Sequence, residues 1–153
     1  MNGTGTAEAP IIIDGYGDKG HDPCIIGYDQ SPYAVYVYNS SQITIQNLEI
    51  VNTGKDRLPG RTGVKVHLEN YGTARSITLR NLYIHDVNGS LVKKQGGGSG
   101  IYIVNEGEKP SIFDGLTIEN CIIRRCERNG IIWWGYVTVS YTHLRAHETC
   151  ADL

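Results

Sequence analysis

With 153 residues, a formal net charge of −2 and a pI near 6.2, the chain carries no excess of positive charge to recommend nucleic acid or an anionic membrane surface as partner. No stretch reaches the ~20 consecutive apolar residues that a spanning helix needs, so no membrane insertion is expected. Nineteen glycines, ten tyrosines and many β-branched residues, against one methionine, suit short strands and tight turns and predict an all-β protein.

The opening MNGTGTAEAP lacks the basic and apolar regions of a signal peptide. After it come GTAEAPIIIDGYG and Cys24. The other cysteines stand at 121, 126 and 150, in no CxxC spacing, which leaves the redox compartment open. AVYVYN at 34 is the first segment with apolar residues at every second position, the period of a pleated strand. ITIQNLEI at 43 to 50 follows, then the basic loop KDRLPGRT at 55 to 62. The order then repeats: GVKVHLEN at 63, ITLRNLYI at 77 to 84, and the loop DVNGSLVKKQGGGS at 86 to 99. It repeats again with GIYIVN at 100 and LTIENCII at 116 to 123, and GIIWWGY at 130 opens a fourth round. The GGGSG run at 96 to 100 lacks the lysine and following helix of a phosphate loop, and reads as a flexible or close-packed turn.

Two series of strands therefore alternate, and one of each makes a coil. The [IL]-T-[IL]-x-N-[LC]-x-I starts at 43, 77 and 116 are 34 and 39 residues apart, so each coil carries a loop. The connections are too short and too rich in Gly, Asn and Lys for crossover helices, which leaves a chain that winds back onto itself. Alternation assigns Val35, Val37, Ile43, Ile45, Leu48 and Ile50 to the interior of one coil. Val64, Val66, Leu68, Ile77, Leu79, Leu82 and Ile84 fill the next, and Ile101, Ile103, Leu116, Ile118, Cys121 and Ile123 the third. Cys121 stands where Leu48 and Leu82 stand, and so reads as core. Thr44, Thr78 and Thr117 are expected to line up outside as scaffold.

The T-[IL]-x-N-[LC] repeats, the glycine-led strands and the start GTAEAPIIIDGYG resemble the pectate-lyase-like superfamily of right-handed parallel β-helices, over roughly residues 5 to 137. The resemblance implies an all-β solenoid of about three to four coils. It places a tight bend at Asn47, Asn81 and Asn120, where the amides are expected to form an inward ladder, because asparagine tolerates the left-handed backbone and can satisfy neighbouring coils. It also implies a carbohydrate-active protein, a polysaccharide lyase or glycoside hydrolase acting on an acidic or plant-type polysaccharide in an extracellular or periplasmic setting. A non-catalytic glycan-binding or cell-surface β-helix is the alternative, favoured if the first-strand face lacks a converging polar group.

In that superfamily the substrate cleft lies on the first-strand series, whose outward positions are Tyr36 and Tyr38, Lys65 and His67, Tyr102 and Val104, and Ile132 and Trp134. Tyr36, Tyr38, Tyr102 and Trp134 are the expected sugar platforms, since aromatic faces stack on sugar rings while their polar tips stay wet. Arg61 and Arg124 are the basic residues offered to a uronate carboxylate. For a lyase the base would be Lys65 or His67, with a neighbouring cation such as Arg61 depressing the lysine. Asp86 would orient the base or ligate Ca²⁺, the one cofactor the resemblance suggests. His85 is a weaker candidate on the third strand. A hydrolase needs two carboxylates across the scissile bond; Glu69, Asp86 and Glu106 are the available acids, and the sequence shows no pairing among them. Oligomeric state is not legible.

From Val139 the residues VSYTHLRAHET resemble the translation of a transposon-type sequencing adapter, which also fits Thr138. The natural sequence is expected to stop near Val137 and the parent chain to continue differently. Residues 138–153 are then a non-native tail, disordered or poorly packed, in which His143, His147 and Cys150 carry no function.

Overall fold

The computed structural model describes residues 1–16, 23–135 and 144–148, the last for the course of its backbone. Its strands are β1 (Ile11–Asp14), β2 (Cys24–Ile26), β3 (Tyr33–Tyr38), β4 (Ile43–Asn52), β5 (Thr62–Glu69), β6 (Gly72–Val87), β7 (Ser99–Glu106), β8 (Ser111–Cys126), β9 (Asn129–Gly135) and β10 (Leu144–Glu148). One sheet runs β3-β5-β7-β9; the other runs β1-β4-β6-β8-β10, with β2 also beside β4. All of these pairings are parallel. The fold is the expected parallel β-helix, each coil made of one strand from each sheet.

Stacking follows the repeat. Ile43, Ile77 and Leu116 share a rung, as do Thr44, Thr78 and Thr117. Val35, Val64, Ile101 and Ile131 share one on the other sheet. Like residues thus bury like surface, and the inward set forms one core between the sheets. Leu116 and Ile123 are only half-buried. The core also takes Ala74, Val87 and Phe113, the last meeting Trp133 edge to face at 5.6 Å.

Asn47, Asn81 and Asn120 do sit at φ of +57°, +52° and +52°. Their side chains, however, are exposed: Asn81 Nδ2 donates to Asn47 Oδ1 at 2.9 Å, and Asn47 Nδ2 to Asp14 Oδ1 at 2.7 Å. The ladder is outward, correcting the inward expectation. The left-handed residue puts two consecutive positions, Gln46 and Asn47, outside between the buried Ile45 and Leu48. The bend spends the asparagine on backbone geometry and leaves its amide to the surface.

The leading glycines are explained by close approach. A Cβ on Gly63 would lie 2.7 Å from the Gly100 carbonyl oxygen and from an Ile84 methyl, and one on Gly100 would lie 2.5 Å from an Ile123 methyl. Each coil can turn back over the third strand only where no side chain intervenes. The glycine-rich loop is close-packed too, with Gly89 bridged to Gly97. Leu144–Glu148, within the tail set apart above, runs parallel to β8. Val137, Thr138, Val139, His143 and Cys150 lie outside the described residues.

Candidate functional site

The inward valines of β3 and β5 force their neighbours outward, and the register stacks those neighbours into rows. Tyr36, Lys65, Tyr102 and Ile132 form one row; Tyr38, His67, Val104 and Trp134 form the next. Successive members stand about 4.8 Å apart, the spacing of neighbouring strands. Trp134 is 67% exposed. Six of the nine residues singled out from the sequence, Tyr36, Tyr38, Lys65, His67, Tyr102 and Trp134, therefore share one face.

Lys65 is enclosed rather than poised. Its Nζ donates to the Tyr33 hydroxyl at 3.1 Å and lies 4.7, 5.6 and 5.5 Å from the ring centres of Tyr33, Tyr36 and Tyr102. A cation held over three π faces orders those rings into a platform. Arg61 does not reach it. The Arg61 side chain is fully buried, donates to Asn88 Oδ1 at 2.7 Å and to the Asp29 carbonyl, and packs on Gly54, where a Cβ would clash with the guanidinium. It secures loops and presents nothing to the strip.

His67 is 7% exposed although it faces outward. Its Nδ1 meets the Tyr36 hydroxyl at 2.8 Å, and its Nε2 lies 2.9 Å from Glu106 Oε1. The second approach is close but off the line of a hydrogen bond, so Nε2 has no acceptor in good geometry. Burial, and then the Lys65 charge, push the imidazole below its ordinary pKa, against the pull of Glu106 and Glu69. Tyr36 is pushed up to about 12, by burial first and then by Tyr33, Tyr38, Glu69 and Glu106. With Tyr36 as donor, the neutral imidazole carries its proton on Nε2.

Asp86 lies elsewhere. It occupies a bulge of β6 on the larger sheet at φ +50°, stacked on Arg125 at φ +48° in β8. Arg125 grips it with two bonds, Nε to Oδ1 at 2.6 Å and Nη2 to Oδ2 at 2.7 Å, and His85 Nδ1 lies 2.6 Å from Oδ2. His85 Nε2 in turn reaches Glu49 Oε1 at 2.7 Å. The imidazole that the carboxylate contacts is therefore that of His85 on the larger sheet, and not Lys65 or His67 of the aromatic rows. Among the described residues, no group of three His, Cys, Asp or Glu could hold a metal ion. Arg124 is exposed beside His85 on this same sheet, away from the aromatic rows.

Beside the rows, the loop running through Lys93–Gln95 overhangs Tyr102, Ile132 and Trp134 and encloses a cleft of about 610 Å³. Arg128 anchors the loop by donating to the Lys93 and Ser90 carbonyls at 2.9 and 2.8 Å. Burial, then Glu106 and Tyr33, raise the pKa of Tyr102.

No pairing of Glu69 with Glu106 is legible in the sequence. The register pairs them directly, on adjacent strands and on the same face as His67. The Tyr38 hydroxyl donates to Glu69 Oε2 at 2.9 Å. Each glutamate falls six residues after the glycine that leads its strand, Gly63 or Gly100, and that shared offset was the available signal.

No family model matches the chain. A curated lacto-N-biosidase of Bifidobacterium longum subsp. longum is 29% identical over an alignment that takes in 90% of this chain and 12% of that protein. The crystal structure of a GH136 lacto-N-biosidase from Eubacterium ramulus superposes with a TM-score of 0.73 at 31% identity, over 88% of this chain and 28% of that one. The chain thus spans a small part of both relatives, about an eighth of one and just over a quarter of the other.

Proposed function

We propose that this chain supplies glycan-contacting coils of a β-helix glycoside hydrolase acting on a lacto-N-biose-type glycan, with the outer face of the four-stranded sheet as the contact surface. The observation that carries this reading is the pair of in-register rows in which Tyr36, Tyr38, Tyr102 and Trp134 share one face with a fixed lysine. Flat, partly wet aromatic faces at a regular spacing suit an extended oligosaccharide. The likeness to two lacto-N-biosidases supports hydrolysis over lysis. So does the site: Lys65 is held by Tyr33, and Asp86 belongs to the other sheet. An acidic or plant-type polysaccharide is the substrate first drawn from the superfamily resemblance; the relatives' names support a neutral glycan in its place. An extracellular or periplasmic location goes with that substrate.

Trp134 is exposed while Trp133 is packed on Phe113, so indole emission reports the surface directly. Titrating the chain with lacto-N-biose should quench or blue-shift the Trp134 component, and the effect should vanish in Trp134→Phe. A response to oligogalacturonate and none to lacto-N-biose would overturn the reading.

A further inference from the structure

We infer that Glu69 and Glu106 read the hydroxyl groups of a neutral pyranose and exclude uronates, which makes them the specificity-determining residues of the glycan face proposed above. The inference rests on that reading and adds the residues that sense the substrate's charge.

The two glutamates lie opposite one another on β5 and β7, one position beyond the row that holds His67 and Trp134. Strands about 4.8 Å apart put their side chains within reach of hydroxyls on one sugar ring. Glu106 also borders a cleft of about 640 Å³ whose other side is Trp134 and Gly135. A ring stacked on the indole there would turn its edge toward the glutamate. Carboxylate oxygens only accept hydrogen bonds, and sugar hydroxyls donate them, so neighbouring hydroxyls and a carboxylate are complementary.

The imidazole supplies an independent pointer to a ligand. His67 is more than nine-tenths buried, and its Nε2 is turned toward Glu106 without an acceptor in line. A buried polar atom left in that state is expensive unless something completes it. A sugar hydroxyl donating to the exposed Glu106 carboxylate would do so by turning its near oxygen into line with Nε2.

Charge decides the exclusion. Lys65 is the cation in the two rows, and it is committed to Tyr33 and the surrounding rings. A neutral His67 leaves the two carboxylates uncompensated by its ring. A uronate carboxylate brought beside them meets like charge, a repulsive element that separates two otherwise similar sugars.

The test is calorimetric titration of the full chain with lacto-N-biose and with digalacturonate. The variants are Glu106→Gln, Glu69→Gln, Trp134→Ala and, as a control on the other sheet, Asp86→Asn, each checked for an unchanged circular dichroism spectrum. The amide keeps the shape of the glutamate and removes its charge. We expect Glu106→Gln and Glu69→Gln each to weaken lacto-N-biose by about tenfold, the value of one charge-assisted hydrogen bond. The same variants should gain affinity for digalacturonate, and Asp86→Asn should leave both ligands unchanged. If Trp134→Ala abolishes binding while both Glu→Gln variants bind as the parent does, the glutamate assignment is overturned and the glycan face stands. If the parent chain binds digalacturonate as tightly as lacto-N-biose, the exclusion is overturned. If it binds neither, the glycan face itself falls, and this inference with it.

Discussion

The Tyr36 hydroxyl lies 2.8 Å from His67 Nδ1, a contact that ties the outer faces of two neighbouring coils together and fixes which way the imidazole presents its other nitrogen. The arrangement works only while the ring is neutral. Burial and the Lys65 charge both disfavour protonation, so His67 should titrate below the ordinary value of 6.5. Because the unfolded chain then binds more protons than the folded one, His67 subtracts stability as pH falls below 6.5 and contributes no penalty above it. In a two-dimensional NMR titration, Lys65→Met should raise the His67 midpoint by removing the second cause. A midpoint above 6.5 in the parent, or one that drops in Lys65→Met, would contradict this electrostatic account.

On the opposite side of the solenoid, Asp86 and Arg125 form the other conspicuous charge pair. The Arg125 bonds, opposed by some burial and assisted by His85, hold the Asp86 carboxyl well below the usual carboxylate range. A depressed carboxyl contributes stability that is fully present above its unfolded value and is lost only as pH falls through the folded one. Arg125→Gln should therefore return the Asp86 midpoint, followed by its side-chain carbon resonance, toward 3.8. Both groups are substantially solvent-exposed, so the gain in stability is small and screened by salt. Glycan binding should be untouched, since neither residue reaches the aromatic rows.

The left-handed bend offers a separate check on the fold. Asn81→Ala places a Cβ-bearing residue without a local polar side chain at φ +52° and should cost about 1–2 kcal/mol. Asn81→Gly should cost clearly less, because glycine adopts that conformation freely and the amide lost is only a surface rung. Urea denaturation of the two variants decides the point. A glycine variant less stable than the alanine one would show that the side-chain ladder, and not the backbone turn, stabilises the bend.

Much of the solenoid was legible because it repeats. Alternation named the inward set, and both rows of the outer face, since a pleated strand leaves two choices per residue and burial selects one. What escaped were features that depend on register or on loop packing. The direction of Asn47, Asn81 and Asn120 follows from two consecutive outward positions at a bend, which the period of two does not anticipate. Arg61 reads as a free loop cation until Gly54 and Asn88 are seen to enclose it. Asp86 reads as a loop acid beside the first strands, but an unpaired bulge residue in β6 carries it onto the larger sheet. The pairing of Glu69 with Glu106 is a matter of coil length: different loops precede Gly63 and Gly100, yet the strands realign from those glycines onward.

The glycan face is tested most directly by mapping amide chemical shifts of the ¹⁵N-labelled chain as lacto-N-biose is added. The account predicts that perturbed residues cluster on the outer positions of β3, β5, β7 and β9, with Tyr38, His67, Tyr102, Glu106 and Trp134 moving together along one binding isotherm. Perturbations confined to β4, β6 and β8, around Glu49, His85 and Arg125, would contradict it.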